Sequence, residues 1–579
     1  MSEGRKITLL VVGIFLAVGL FYYLVFSGLS EKSEPIASHS FLQLNLSGSI
    51  EERSVEDPFA ELFTGNIPSV ENLLQAIRKA KFDEKIEGIL IRPEGAVLGW
   101  GKAEEIRDAL LDFKESGKPV YAYIEVAGNK DYFLASAADS IVGVSTGILY
   151  INGFLGGGTF LKGSLKKLGI QADFIAYGKY KSAPEMFTRE KMSEPMREVV
   201  NSLLDDMYPR FVSTLAEARH LSKNKMKALI DRGFFSLTDA RSEGLIDSLM
   251  FFNDLKSSLK SRYHRRLRFV SLKRYLKAPM PKIIGKAKSK LAVVYGVGTI
   301  VIGGEGQYGQ NGLITSEGMA NSIRKAADDK TVKAIILRVD SPGGSGTASE
   351  IIWREVVRAR QKKPVIVSVS DLAASGGYYI SLAADSIVAH PGSIMGSIGV
   401  FVGKFALSGL YHKLGITEDL VKRGQNADLF AQLRPFTPAQ RKMMTKFIMD
   451  FYRDFVGKVA TGRHMDYDAV DRIAQGRVWT GQQAVKNGLV DRLGDFHTAI
   501  QMAKKMAHIP LDEPVQLLIY PRKKTFVERL LSSALDAQTW VKLPRMEGLS
   551  FKIKSIVTAL PYFRNGEPLF LTPVILTIK

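Results

Sequence analysis

The chain has no cysteine among its 579 residues. Disulfides, thiolate metal sites and cysteine nucleophiles are therefore excluded, and the chain would tolerate an oxidising compartment without requiring one. Acidic residues are missing from one long internal stretch. None occurs between Leu255 and Gly304, while Lys256 to Lys290 holds 13 lysines and arginines. Histidine is scarce: the eight present show no pairing with a serine that would mark a general base. His390, in "AHPGS", is nearest to a candidate nucleophile and reads as a loop histidine. Charge is also absent from Ile7 to Ser30, a run of 24 residues, longer than the ~20 that span a bilayer as helix.

That run predicts an N-terminal membrane anchor over residues 1–30. Arg5 and Lys6 precede it, so the positive-inside rule places the N-terminus in the cytoplasm and the bulk of the chain outside. A cleaved signal peptide is the competing reading, although its apolar region would be shorter. A composition of 46% hydrophobic and 24% charged residues fits a folded protein, and the length demands more than one core. The net charge of +20 calls for an acidic partner. An anionic membrane surface suits it better than nucleic acid, for which no motif is present.

The chain repeats itself. At an offset of 246, "IRKA" (77–80) recurs at 323–326, "AADSIV" (137–142) at 383–388, and "KLGI" (167–170) at 413–416. This is a tandem duplication of two whole domains, 45–250 and 291–495, joined by a basic linker, 251–290, and followed by a basic extension, 496–579. In each copy short apolar runs such as "KAIILRVD" (333–340) alternate with amphipathic helices such as "ASEIIWREVVRARQ" (348–361). The expected fold is α/β with a largely parallel sheet, and sites are expected in the turns at the carboxyl ends of its strands.

Comparing the copies separates the needs of the fold from those of chemistry. Ser375, in "DLAASGGYYIS", corresponds to Asn129, and Gly376–Gly377 to Lys130–Asp131. "DSPGG" (340–344) corresponds to "EGAVL" (94–98), so the first copy has lost every nucleophile-like feature while keeping the framework. The reverse holds further on. Lys179 and Lys181 in "YGKYKSAPEMF" correspond to Gln425 and Ala427. One copy keeps serine and the other keeps lysine, as a site shared across a domain interface would. A neutral lysine can deprotonate a serine if burial lowers its pKa from ~10.4 toward ~7–8. Gly344 or Gly343, with Gly376, could supply oxyanion N–H groups. Ser341 is a rival nucleophile whose "DSPGG" setting suggests that it shapes the loop.

Together "DSPGGS", "ASGGYY", "GSIGVF" (396–401) and "GKYKSAPE" (178–185) resemble the signal peptide peptidase A family in its long, two-repeat form, protease IV. The resemblance covers nearly the whole chain. It implies two tandem crotonase/ClpP-like domains behind a transmembrane helix, and a cofactor-free, metal-free endopeptidase that degrades signal-peptide remnants and other apolar peptides. It also implies a homotetramer on the extracytoplasmic face of the bacterial inner membrane. Carried onto this sequence, the nucleophile is Ser375, the general base Lys181 and the lysine-orienting residue Ser397, with Gly344 and Gly376 at the oxyanion. Three rivals remain: a quality-control protease of the same clan, a crotonase-like acyl-CoA enzyme, and a non-enzymatic membrane scaffold.

Overall fold

The computed structural model describes residue 13 and residues 35–53, 68–281, 287–310, 312–522, 566–572 and 577–578. The expected anchor, 1–30, lies outside them except for Gly13. Among the described residues no helix is long and apolar enough to cross a membrane.

Each repeat is built on a parallel sheet. In the first, strands Ser40–Ser49, Ile86–Val97, Val120–Ala127 and Ser140–Tyr150 pair in parallel in that order, and Phe234–Ser236 closes one edge antiparallel. In the second, Ser289–Val301, Val332–Ser345, Val365–Ala374 and Ser386–Ala389 do the same, and Val478–Thr480 pairs antiparallel with Ile394–Gly396. The central strands carry apolar side chains on both faces. Every residue of Val365–Ala374 is buried, as expected of a parallel strand covered by helices on each side. Helices Ser316–Asp328 and Gly346–Arg360 supply one cover.

Residues 252–278 of the stretch expected as a basic linker are part of the first domain. Helix Phe252–Arg262 and strand Arg268–Ser271 fold back so that the strand pairs in parallel with Ser40–Ser49. Leu255, Leu259 and Leu267 are buried against Phe41, Leu90 and Tyr121. Among the described residues of 252–278, most of the lysines and arginines lie on the solvent side of this amphipathic segment. The extension beyond 495 repeats the device: helix Phe496–Met506 packs under the second sheet, and strand Val515–Tyr520 pairs with Ser289–Val301. The duplicated unit is thus longer at its C-terminal end than the motif matches indicate.

The repeats are also stitched together. Strand Gln171–Tyr177 leaves the first repeat and pairs antiparallel with Val400–Ala406 of the second, from Val400 opposite Tyr177 to Ala406 opposite Gln171. That crossing carries residues of one repeat to the strand ends of the other.

Candidate active site at the seam between repeats

Strand Val365–Ala374 ends at Ser375, which has φ 54° and ψ −113° and precedes the short helix Gly376–Ser381. Such a backbone is costly for a residue with a Cβ. It is held in place by the Ser375 N–H, which donates to Gly396 O at 2.7 Å. With its own N–H already engaged, Ser375 leaves donation to an oxyanion to its neighbours.

Those neighbours abut one another. A Cβ on Gly376 would lie 3.1 Å from Gly343 Cα and 3.2 Å from Gly344 N. One on Gly343 would lie 2.7 Å from Gly376 N, and one on Gly344 would strike Ile300 O at 1.9 Å. With φ of 97° and 157°, Gly343 and Gly344 occupy backbone and space that only glycine fits. Ser341 Oγ donates to Gly298 O at 2.7 Å and accepts from Gly343 N at 3.1 Å, so this serine braces the loop.

Lys181 arrives from the other repeat on the loop after Gln171–Tyr177. Its Nζ donates to Ser375 Oγ at 2.8 Å, and to Ser397 O and Ser397 Oγ at 3.1 Å each. The loop is fastened by Tyr180 N–H donating to Gln475 O at 2.7 Å. Lys181 is 4% exposed. Among the described residues no carboxylate offsets that burial, and desolvation holds the amine well below its ordinary pKa. The group nearest the serine hydroxyl is therefore disposed to be neutral and to accept a proton.

Lys179 is different: its side chain is 59% exposed, beside Tyr180 and Glu198. His390 is fully buried, but its ring faces Glu105 and Asp108 at 3.8 Å. Two glycines that motif reading passed over confine the lysine. A Cβ on Gly476 would lie 2.5 Å from Lys181 N, and one on Gly399 would lie 3.1 Å from Lys181 Cδ. Gly399 stands inside "GSIGVF", which was the available signal; Gly476 had none.

In the first repeat the corresponding turn is closed on itself. Asn129 Nδ2 donates to Asn152 Oδ1 and Gly153 O, and the Asp131 carboxylate accepts from Gly95, Ala96 and Gly128 N–H. The turn is kept, with its own internal hydrogen bonds.

The Peptidase family S49 model matches residues 112–265 and 358–510, one match in each repeat. Serine protease SPPA, chloroplastic, of Arabidopsis thaliana is 33% identical over 538 residues, 89% of this chain and 78% of that one. Protease 4 of Haemophilus influenzae is 33% identical over 541 residues, 88% of this chain and 86% of its own. A ClpP1 mutant chain from Listeria monocytogenes aligns with 36% of this chain and 94% of its own at 12% identity and a TM-score of 0.24, too weak a likeness to carry an argument. With both repeats matched and two relatives covered over most of their length, the chain belongs to peptidase family S49 and is a serine protease.

Proposed function

We propose that this protease is a membrane-anchored endopeptidase that hydrolyses extended apolar peptides, signal-peptide remnants among them, through a Ser375–Lys181 dyad. The observation that carries the reading is the buried, uncompensated Lys181 amine 2.8 Å from Ser375 Oγ. Neutral Lys181 takes the hydroxyl proton as Ser375 Oγ attacks the scissile carbonyl. The N–H groups of Gly344 and Gly376 receive the oxyanion, and Ser397 holds the amine in line. The ammonium then protonates the leaving amine, and water, deprotonated by Lys181, releases the acyl group.

The mode of peptide binding has support within the chain. Residues Leu569–Leu571 form a strand between Val332–Ser345 and Val400–Ala406, with Phe570 opposite Gly344 and Leu569 opposite both Ser345 and Phe401. Thr572 N–H donates to Pro342 O and Gly346 N–H to Pro568 O, each at 2.9 Å. The Phe570 ring is buried, 5.3 Å from the ring of Tyr379 and 5.0 Å from that of Phe455. A substrate strand taking the same place would gain main-chain hydrogen bonds beside the nucleophile and an aromatic-lined pocket for an apolar side chain.

A homo-oligomer, the tetramer that the resemblance implies, fits the exposed ends of the duplication. Inside the chain, Val199 and Leu203 of helix Glu194–Ala218 pack on Val478. Their counterparts at an offset of 244 are Met443, Phe447 and Phe234, which are 41%, 38% and 61% exposed. A second copy placed head to tail would cover them by repeating a contact the chain already makes.

Full-length protein in detergent, given a signal peptide and a fluorophosphonate probe, tests the reading. Wild type should cleave and label, whereas Ser375→Ala and Lys181→Ala should do neither. Undiminished labelling of Lys181→Ala would refute the lysine as base. Turnover of an acyl-CoA thioester but not of peptide would refute the protease substrate.

A further inference from the structure

The two repeats meet across a layer of charge almost shut off from water. Helix Trp100–Lys114 of the first repeat points its N-terminus at Asp371 of the second, and Gly99 and Lys102 N–H groups each donate to that carboxylate at 2.9 Å. A Cβ at Gly99 would lie 2.1 Å from Asp371 Cγ, so the approach requires glycine. The Lys102 ammonium then reaches Asp340 Oδ2 at 2.8 Å and Asp371 Oδ2 at 3.7 Å, the three side chains being 5%, 2% and 3% exposed. Burial pulls the lysine's pKa down, but the carboxylates of Asp340, Asp371 and Glu52 more than reverse this and hold it above its ordinary value. Two residues back along the same strand, Arg338 donates to Glu52 at 2.7 Å, to Ser368 at 2.8 Å, and to Glu105.

Stability alone is a poor reason for such a layer. Desolvating buried ions offsets most of their attraction, and apolar side chains of the same volume are often as stable. The placement is more telling. Asp340 immediately precedes the Ser341–Gly344 segment at the end of its strand, and Asp371 lies on the strand that runs into Ser375. Between these points the strand pairing slips: Val339 stands opposite Val369, but Ser341 opposite Ala373. Lys102 spans the two strands where their ladder no longer fixes their relative advance. In the first repeat the residues equivalent to Arg338, Asp340 and Asp371 are Arg92, Glu94 and Glu125. Arg92 pairs with both carboxylates at the surface, and the position equivalent to Lys102 is Ala348. The clamp accompanies the repeat with the serine.

We propose that Lys102 is a positioning residue for the reaction: by tying Asp340 to Asp371 across the seam, it sets the spacing between the Gly344 and Gly376 N–H groups that receive the oxyanion. The proposal rests on the Ser375–Lys181 reading. It makes the first repeat responsible for both the base and the alignment of the hole.

The test compares full-length wild type with Lys102→Met, Lys102→Arg and Arg210→Met, the last removing an ion pair to Glu104 on the same helix that involves neither strand. Site concentration is fixed by fluorophosphonate titration, and kcat and KM are measured on one peptide across pH. Lys102→Met should lower kcat per titrated site at least tenfold, part of the 10²–10³ that one oxyanion donor supplies. KM should stay within twofold and the acid limb of the pH profile should not move. Lys102→Arg should recover much of the loss, and Arg210→Met should match wild type. An unchanged kcat for Lys102→Met, or a loss equalled by Arg210→Met, would overturn the proposal. If Lys102→Met does not fold, Asp340→Asn, which keeps size and removes the charge, is read by the same criteria. A wild type that neither labels at Ser375 nor cleaves peptide would instead overturn the dyad reading.

Discussion

Lys181 Nζ stands 2.8 Å from Ser375 Oγ, although 194 residues of chain separate the two. Each comes from a different repeat, and each has lost its counterpart in the other. The dyad proposed above would thus be divided between two copies of a fold, and the seam between the copies supplies the burial that lowers the lysine's pKa.

The first prediction concerns pH. Burial lowers the pKa of Lys181, and the base acts in its neutral form, so kcat/KM should rise as pH increases through the depressed value and collapse below it. The same shift has a stability consequence. Between its folded and unfolded pKa values, Lys181 binds fewer protons in the native state than in the unfolded chain, so its contribution to stability improves as pH rises toward ~10.4. Lys181→Met should therefore raise the melting temperature at neutral pH, and the gain should shrink in alkaline buffer. Calorimetry across pH checks both signs.

Ser375 sits at φ 54°, which is costly for serine and alanine alike but not for glycine. Ser375→Gly and Ser375→Ala should both be inactive, but the glycine variant should be more stable by about 1 kcal/mol. Equal denaturation midpoints would mean that the turn carries no strain.

Ser397 Oγ accepts one of the hydrogen bonds that favour a protonated Lys181. Ser397→Ala should lower kcat roughly fivefold, in keeping with loss of one hydrogen bond of about 1 kcal/mol. It should also move the acid limb to lower pH, because the ammonium loses a partner. A kcat loss without movement of the limb would make Ser397 a packing residue only.

Phe447→Asp places a charge in the exposed apolar patch of helix Pro438–Arg463. Light scattering in detergent should show the variant as a smaller species than wild type. An unchanged mass would remove this face from the interface.

Removing residues 566–579 clears the place beside Gly343–Ser345 that Leu569–Leu571 fills. KM for an apolar peptide should fall several-fold with little change in kcat. A rise in KM would show that the strand is a fixed wall of the groove against which substrate binds.

Much of this was legible in one dimension because the chain contains its own comparison. The matching of Asn129 with Ser375 and of Ala427 with Lys181 pointed to these two side chains as a pair, and the structure places them 2.8 Å apart. The motif resemblance then selected Lys181 over Lys179, whose exposed side chain beside Glu198 fits a surface pair. The stretch 251–290 was misread as a linker, because its 13 cationic side chains mask three leucines whose burial depends on Phe41, Leu90 and Tyr121 far away in sequence. Gly476 and the Lys102–Asp340 pair gave no local signal, since each acts through a partner in another part of the chain.

The sequence by itself determined the duplicated α/β frame and marked Ser375 and the Lys179–Lys181 pair as the features each copy had lost, because periodicity and residue loss are local properties. Only the tertiary structure decided that, among the described residues, Lys181 is buried with no counter-charge, that Lys102 reaches Asp340 and Asp371 on two neighbouring strands, and that Phe234, Met443 and Phe447 are exposed. Desolvation, ion pairing and packing depend on what lies across the seam, and that is set by how the repeats dock.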